Sequence, residues 1–202
     1  MSAVAYGVIA AHPSLPFRDV AGLVAYAKAH PGHLRFGSAG NGTITQLSGE
    51  MFAEATGIRL EHVPYRGSAP SLTDLLAGRV QLLFDSVAIP AIHEDRLVAI
   101  ATIAETRNPQ LPNIPTLREV GLSQAEALPW FGIAAPAGLP GSVLNRLAAA
   151  LETVLATPEA AQAMTPMGLK PRFEAGEAFA NRIHREREMY GAVVRRTGAK
   201  PG

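Results

Sequence analysis

The chain has 202 residues, 48% of them hydrophobic and 17% charged, a composition that is globular rather than disordered, collagen-like or coiled-coil. Lys and Arg number 18 against 17 Asp and Glu, and the resulting net charge of +1 gives no electrostatic footprint for nucleic acid or an anionic membrane. With no cysteine, disulfides, zinc–thiolate centres and a cysteine nucleophile are excluded.

No stretch reaches the roughly 18 unbroken apolar residues of a membrane span. Met1 to Ala11 is apolar, but no basic region precedes it and His12-Pro13 follows at once. It is expected to form a strand over Val4 to Ala11 rather than a signal peptide, so that the chain is either not exported or has lost its leader. Val20, Leu23, Val24 and Ala27 recur at helical spacing, and Pro31-Gly32 closes that helix. A short strand, Leu34 to Gly37, runs into the polar turn Gly37-Ser-Ala-Gly-Asn-Gly-Thr43. The next helix presents Ile44, Leu47, Met51 and Phe52 inward, with Thr43 and Gln46 spaced as a capping box and Gly57 as its stop. Strands are predicted at Arg59 to Pro64, Val80 to Phe84 and Leu97 to Ile103, with a helix over Ser68 to Ala77 and a helical turn near Ile89 to Glu94. Strands alternating with helices predict a mainly parallel sheet. Residues 107–129 read as irregular, Trp130 to Ala135 as apolar, and the remainder as helices starting near Gly141, Pro158 and Glu174.

Enzyme signatures are missing. Gly37-Ser-Ala-Gly40 is one residue too short for a nucleophile elbow, no Gly-Lys-Ser/Thr follows the glycine turn, and no nucleophile–base pair stands out. His30 and His33 straddle Pro-Gly without a nearby carboxylate and read as turn histidines rather than metal ligands. No cofactor is expected.

The strongest local feature is Gly37 to Thr43, where a strand passes through glycines to a helix start. Unpaired amides and the helix dipole favour an anion there. Ser38, Asn41 and Thr43 add side-chain donors around Ala39, Gly40 and Gly42, and without a lysine the site suits a carboxylate better than a triphosphate. The same residues equally describe an ordinary capped turn. As an anion site, the turn is expected to present its free amides to solvent or ligand. Tyr65-Arg66-Gly67-Ser68 repeats the pattern, as a second binding turn or a plain one. Asp85 ends an apolar strand at the sheet edge where ligands bind in open α/β sheets; it either accepts bonds from an amine or hydroxyl or caps the next turn.

Several motifs occur together in order: His12-Pro-Ser-Leu-Pro16, Gly37-Ser-Ala-Gly-Asn-Gly-Thr43, His62-Val-Pro-Tyr-Arg-Gly67, Leu75-Leu-Ala-Gly-Arg-Val80, Phe84-Asp85, Leu111-Pro-Asn-Ile-Pro-Thr116, Trp130-Phe-Gly132 and Ala135-Pro-Ala-Gly138. With them the chain resembles the tripartite tricarboxylate transporter substrate-binding proteins, the Bug receptors, from about residue 8 onward. The resemblance implies an α/β, periplasmic-binding-protein-like fold without catalysis. Residues 1–129 would form a second-domain-like, mainly parallel lobe, and residues 130–202 a strand and helices that complete the first domain in that family. It implies a periplasmic receptor that captures a small carboxylate for a membrane permease. Ser38, Ala39, Gly40, Asn41, Gly42, Thr43, Tyr65, Gly67, Ser68 and Asp85 correspond to positions facing the ligand cleft. Family members carry most of the first domain ahead of the matching segment. A shortened homologue without ligand binding, stable as an oligomer, is therefore the alternative. The apolar stripes over 142–155 and 176–194, with Leu144, Leu147, Leu151, Phe179, Ile183 and Tyr190, predict a homo-oligomer unless the C-terminal helices fold back onto residues 8–129.

Overall fold

Two sheets organise the structure, a computed structural model that describes residues 1–127 and 129–198. The larger sheet comprises β2 (Gly7–Ala11), β3 (Arg35–Ser38), β4 (Glu61–Pro64), β5 (Leu82–Phe84) and β6 (Val98–Ile103), in the order β4-β3-β5-β2-β6. Strand β3 pairs in parallel with β4 and β5, while β2 is antiparallel to both β5 and β6. Four strands therefore share one direction, as the strand–helix alternation predicts, and β2 runs against them. The expected strand over Val4 to Ala11 is two strands. The chain changes sheets at Tyr6, and β1 (Ala3–Ala5) lies between β7 (Trp130–Phe131) and β8 (Leu169–Pro171) in a three-stranded antiparallel sheet.

Period-two alternation divides the core between the faces of the large sheet. Ile9, Phe36, Leu82 and Phe84 face α1 (Val20–Ala29) and α2 (Ile44–Thr56), meeting Leu23 and Phe52. Val8, Ala10 and Leu83 face α3 (Ser68–Leu76) and α4 (Ile89–His93), meeting Leu75, Ile89 and Ala91. Helix α1 starts where the Asp19 carboxylate accepts from Gly22 N at 2.7 Å. Helix α2 stops at Gly57, whose φ of 66° is open to glycine at little steric cost.

The C-terminal part adds α5 (Gly141–Leu155), α6 (Pro158–Met164) and α7 (Gly176–Thr197). Helix α7 folds back onto α2, where Val193, Tyr190 and Val194 pack with Leu47 and Met51. Tyr190 thus belongs to an internal contact, not to the exposed stripe expected of it. An ionic cluster secures the other end of α7: Arg182 bonds Glu174 at 2.9 Å and Glu186 at 3.1 Å, and Trp130 Nε1 donates to Glu186 at 2.6 Å. Helix α5, by contrast, buries none of its residues, and Leu144, Leu147 and Val154 stand exposed.

Candidate functional site

The chain leaves β3 toward the face carrying α2 and leaves β5 toward the opposite face, carrying α4. Adjacent parallel strands whose following segments diverge this way open a crevice beyond their carboxyl ends. A cavity of about 340 Å³ lies there. Ala39, Thr43, Ile44, Thr45 and Ser48 line it from the β3–α2 connection and the start of α2. Ser68 contributes from the start of α3, and Asp85 and Ser86 from the end of β5. The three-stranded sheet and the preceding turn supply Ala5, Phe131, Met167 and Leu169.

The turn is held by its own polar groups. Ala39 N donates to Thr45 Oγ1 (2.9 Å), Gly40 N to Ser38 Oγ (3.1 Å), Gly42 N to Gln46 Oε1 (2.8 Å) and Thr43 N to Gly40 O (3.4 Å). The expectation of free amides within the turn is therefore wrong for these four. Short hydroxyl and amide side chains compete successfully for three of them, as such groups do near helix starts, and the Gly40 carbonyl takes the fourth. The capping box also fails to close. Thr43 Oγ1 donates to Gly40 O at 2.7 Å instead of accepting from the helix, and Gln46 reaches Gly42 N rather than Thr43 N. As a result the amides of Ile44, Thr45 and Gln46 have no partner among the described residues. The free donors thus lie one step further along the chain, in the first turn of α2, where Thr45 and Gln46 are buried. Buried amides left unpaired are costly, and an anion at the helix start satisfies them.

Two glycines shape this approach. Gly40 has a φ of 136°, and a Cβ there would meet Tyr65 O at 3.1 Å; Gly42 has a φ of 73°. The second turn is tied to the first through Tyr65 N to Ser38 O (3.1 Å) and Gly67 N to Ala39 O (3.0 Å). The Tyr65 side chain points away to α3, donating to Asp74 Oδ2 at 2.8 Å. Burial and this bond push its phenol up to about 12, so it stays protonated. Ser38 is fully buried, and its Oγ lies 2.6 Å from His62 Nε2; burial holds His62 below its ordinary value. At Asp85, Oδ2 accepts from Ser68 Oγ (2.5 Å) and Oδ1 from Val87 N (3.1 Å). The carboxylate thus caps the turn Ser86–Ala88 and also lines the cavity, so both of its expected roles are compatible.

Of the residues predicted from sequence, Ala39, Thr43, Ser68 and Asp85 line this cavity; Ser38, Gly40, Asn41, Gly42, Tyr65 and Gly67 are not among its lining residues and act around it. Thr45 and Ser48 were missed, although two hydroxyls three residues apart at a helix start are a readable signal. Leu169 arrives through β8, a three-residue strand ending in proline that leaves no periodic trace, and Met167 through the turn just before it. Among the described residues, no group of three or more His, Cys, Asp or Glu converges to hold a metal ion. His30 and His33 instead surround Tyr26, with His30 stacked on the ring at 4.4 Å and His33 Nδ1 3.2 Å from the hydroxyl.

This crevice, between an inverted-strand α/β sheet and a second small sheet, is a ligand-binding architecture. The profile of the tripartite tricarboxylate transporter family receptors matches residues 1–199, and the chain belongs to that family. The family is one of solute-binding receptors rather than enzymes. A "UPF0065 protein in tcbD-tcbE intergenic region" of Pseudomonas sp. (strain P51) is 39% identical over 181 residues, covering 88% of this chain and 54% of that protein. Bordetella pertussis BugT is 29% identical over 195 residues, covering 96% and 60%. Among solved structures, R. palustris Rpa4515 with adipate superposes with a TM-score of 0.85 at 28% identity, covering 100% of this chain and 68% of that one. The fold is thus that of periplasmic binding proteins, and the chain spans little more than half the length of these curated relatives.

Proposed function

We infer that this chain captures a small carboxylate in the crevice beyond β3 and β5, as the receptor component that hands its solute to a membrane permease in the periplasm. The observation that carries this reading is the set of unpaired amides of Ile44, Thr45 and Gln46 at a cavity-lining helix start. Carboxylates bound to relatives support it: Rpa4515 is described with adipate, and the R. palustris protein MatC with bound malate. The large sheet and its helices then act as the lobe that carries the site, and the three-stranded sheet of β1, β7 and β8 covers it. Binding only to the native state stabilises it by mass action, by about 2.7 kcal/mol at a hundredfold excess over Kd. A thermal-shift series with small mono- and dicarboxylates, adipate and malate included, is expected to raise the melting temperature with at least one of them. No shift with any favours a second reading, a family member without ligand binding. The exposed α5 face speaks for that second reading.

A further inference from the structure

Ser38 and His62 form a pair beside the glycine turn, and neither residue lines the cavity. Their separation of 2.6 Å is short for an N–H donating to oxygen and ordinary for a hydroxyl donor. Ser38 Oγ is therefore assigned as the donor and His62 Nε2 as the acceptor, with the ring neutral and its proton on Nδ1. The Ser38 oxygen accepts in turn from Gly40 N at 3.1 Å. The other acceptor within reach of its proton is Gly40 O, 3.2 Å away. That carbonyl already receives Thr43 Oγ1 at 2.7 Å and Thr43 N at 3.4 Å, which occupies both of its lone pairs. While His62 takes the serine proton, Thr43 stays turned toward Gly40 and the first-turn amides of α2 stay open. A proton on Nε2 reverses the bond, because an imidazolium can only donate. Ser38 must then donate to Gly40 O, and the carbonyl faces three donors with two lone pairs. The Thr43 hydroxyl is the donor that can leave by turning about its χ1. Thr43 holds the N-cap position of α2 with an extended backbone, φ −79° and ψ 159°. Once free, its oxygen can accept from the helix as N-cap hydroxyls do. The cap then closes over the donors that a carboxylate needs.

We propose that His62 is a positioning residue that keeps the start of α2 open for its ligand through Ser38 and Thr43, and that protonation of its ring weakens carboxylate capture. The inference rests on the carboxylate reading above. The charged groups on the elements packed around the ring are Arg35 on β3, Glu61 beside it on β4, Glu50 and Glu54 on α2, and Asp74 on α3 at the opposite face of the sheet. Glu54 pairs with Arg196 and Asp74 with Arg79, and none of the five forms an ion pair with His62 among the described residues. Burial favours the neutral ring, so His62 is uncharged near pH 7 and takes up its proton on acidification. An imidazolium acting only through its charge would attract an anion and strengthen binding. The hydrogen-bond relay weakens it, so the sign of the pH effect separates the two.

Calorimetric titration with adipate and with malate, from about pH 7.5 down to about pH 5, tests it in the wild-type chain and in His62→Gln. Each acid's own titration is common to both proteins and cancels in the comparison. At the upper pH, His62→Gln is expected to bind within about twofold of the wild type, because its amide oxygen can accept from Ser38 as the ring nitrogen does. At the lower pH the wild type is expected to have lost about five- to tenfold more affinity than His62→Gln, which is what one helix cap is worth. In the ligand-free wild type, the Thr45 and Gln46 amide protons are expected to shift with the same midpoint as the His62 ring signals, followed by heteronuclear correlation spectra. If His62→Gln does not fold, that coincidence of midpoints decides. A wild type no more acid-sensitive than His62→Gln, or one whose affinity rises relative to it, overturns the role of His62 while leaving carboxylate capture standing. Binding of neither acid at the upper pH overturns the carboxylate reading and this proposal with it.

Discussion

Replacing Gly49 by alanine would place a methyl carbon 2.4 Å from Cε2 of Phe36, with two further ring atoms at 2.7 and 2.8 Å. Phe36 cannot yield easily: it is fully buried in β3, with the Phe84 ring 5.6 Å away on one contact and His62 5.0 Å away on another. Relief must come from α2 lifting off the sheet. Overpacking of this kind costs about 1–3 kcal/mol, and three contacts this short place it near the top of that range. Alanine recovers about 1 kcal/mol of helix propensity, leaving a net loss of about 2 kcal/mol. In a chain of this size that lowers the melting temperature by about 4–8 °C. The matched control is Gly191→Ala in α7, where the new methyl meets the flexible end of Arg195 at 3.3 Å. That substitution is expected to keep its propensity gain and raise the melting temperature. Thermal unfolding followed by circular dichroism distinguishes the two. An unchanged or higher midpoint for Gly49→Ala refutes the packing argument. Because Gly49 lies little more than one turn from Ile44, the same variant is expected to bind carboxylates more weakly in the cold.

Burial lowers the His62 pKa below 6.5, so below that pH the unfolded chain binds more protons than the native one. This contribution to stability is complete above about pH 6.5 and is lost as the pH falls through the native value. Melting temperatures measured from neutrality down to about pH 5 are expected to fall less steeply for His62→Gln than for the wild type; identical slopes exclude the effect. The exposed side of α5, with Leu144 and Leu147 each half-exposed and Val154 at 58%, is a contiguous apolar surface of the kind a second copy covers. Light scattering at micromolar concentration is expected to return about twice 21.3 kDa, and a mass that stays at 21.3 kDa across dilution rejects self-association.

Local signals carried much of the architecture. The stops at Gly57 and Gly78 are left-handed as glycine chemistry requires, and the alternation of Val8, Ile9, Ala10 and Ala11 divides between two faces. Strand β5 lies parallel beside β3, which brings Asp85 to the edge where the glycine turn ends. What sequence could not reveal depended on long-range pairing. Nothing in Ala3–Ala5 announces a different sheet from Gly7–Ala11, because the switch at Tyr6 is set by partners more than 120 residues away. The unpaired amides lie a few residues beyond the glycine turn for a local reason. Ser38, Thr45 and Gln46 satisfy the glycine-turn amides, and spacing alone does not tell which hydroxyl or amide wins each donor.

Carboxylate capture at the start of α2 depends on which backbone amides receive the ligand. Titration of the ¹⁵N-labelled chain with a carboxylate it binds, followed amide by amide in heteronuclear correlation spectra, tests this directly. The Ile44, Thr45 and Gln46 amides are expected to show the largest shifts, with those of Ala39 and Gly42, already bonded within the turn, moving less. Saturation of the ligand with these three resonances unmoved contradicts the placement of the site at the start of α2.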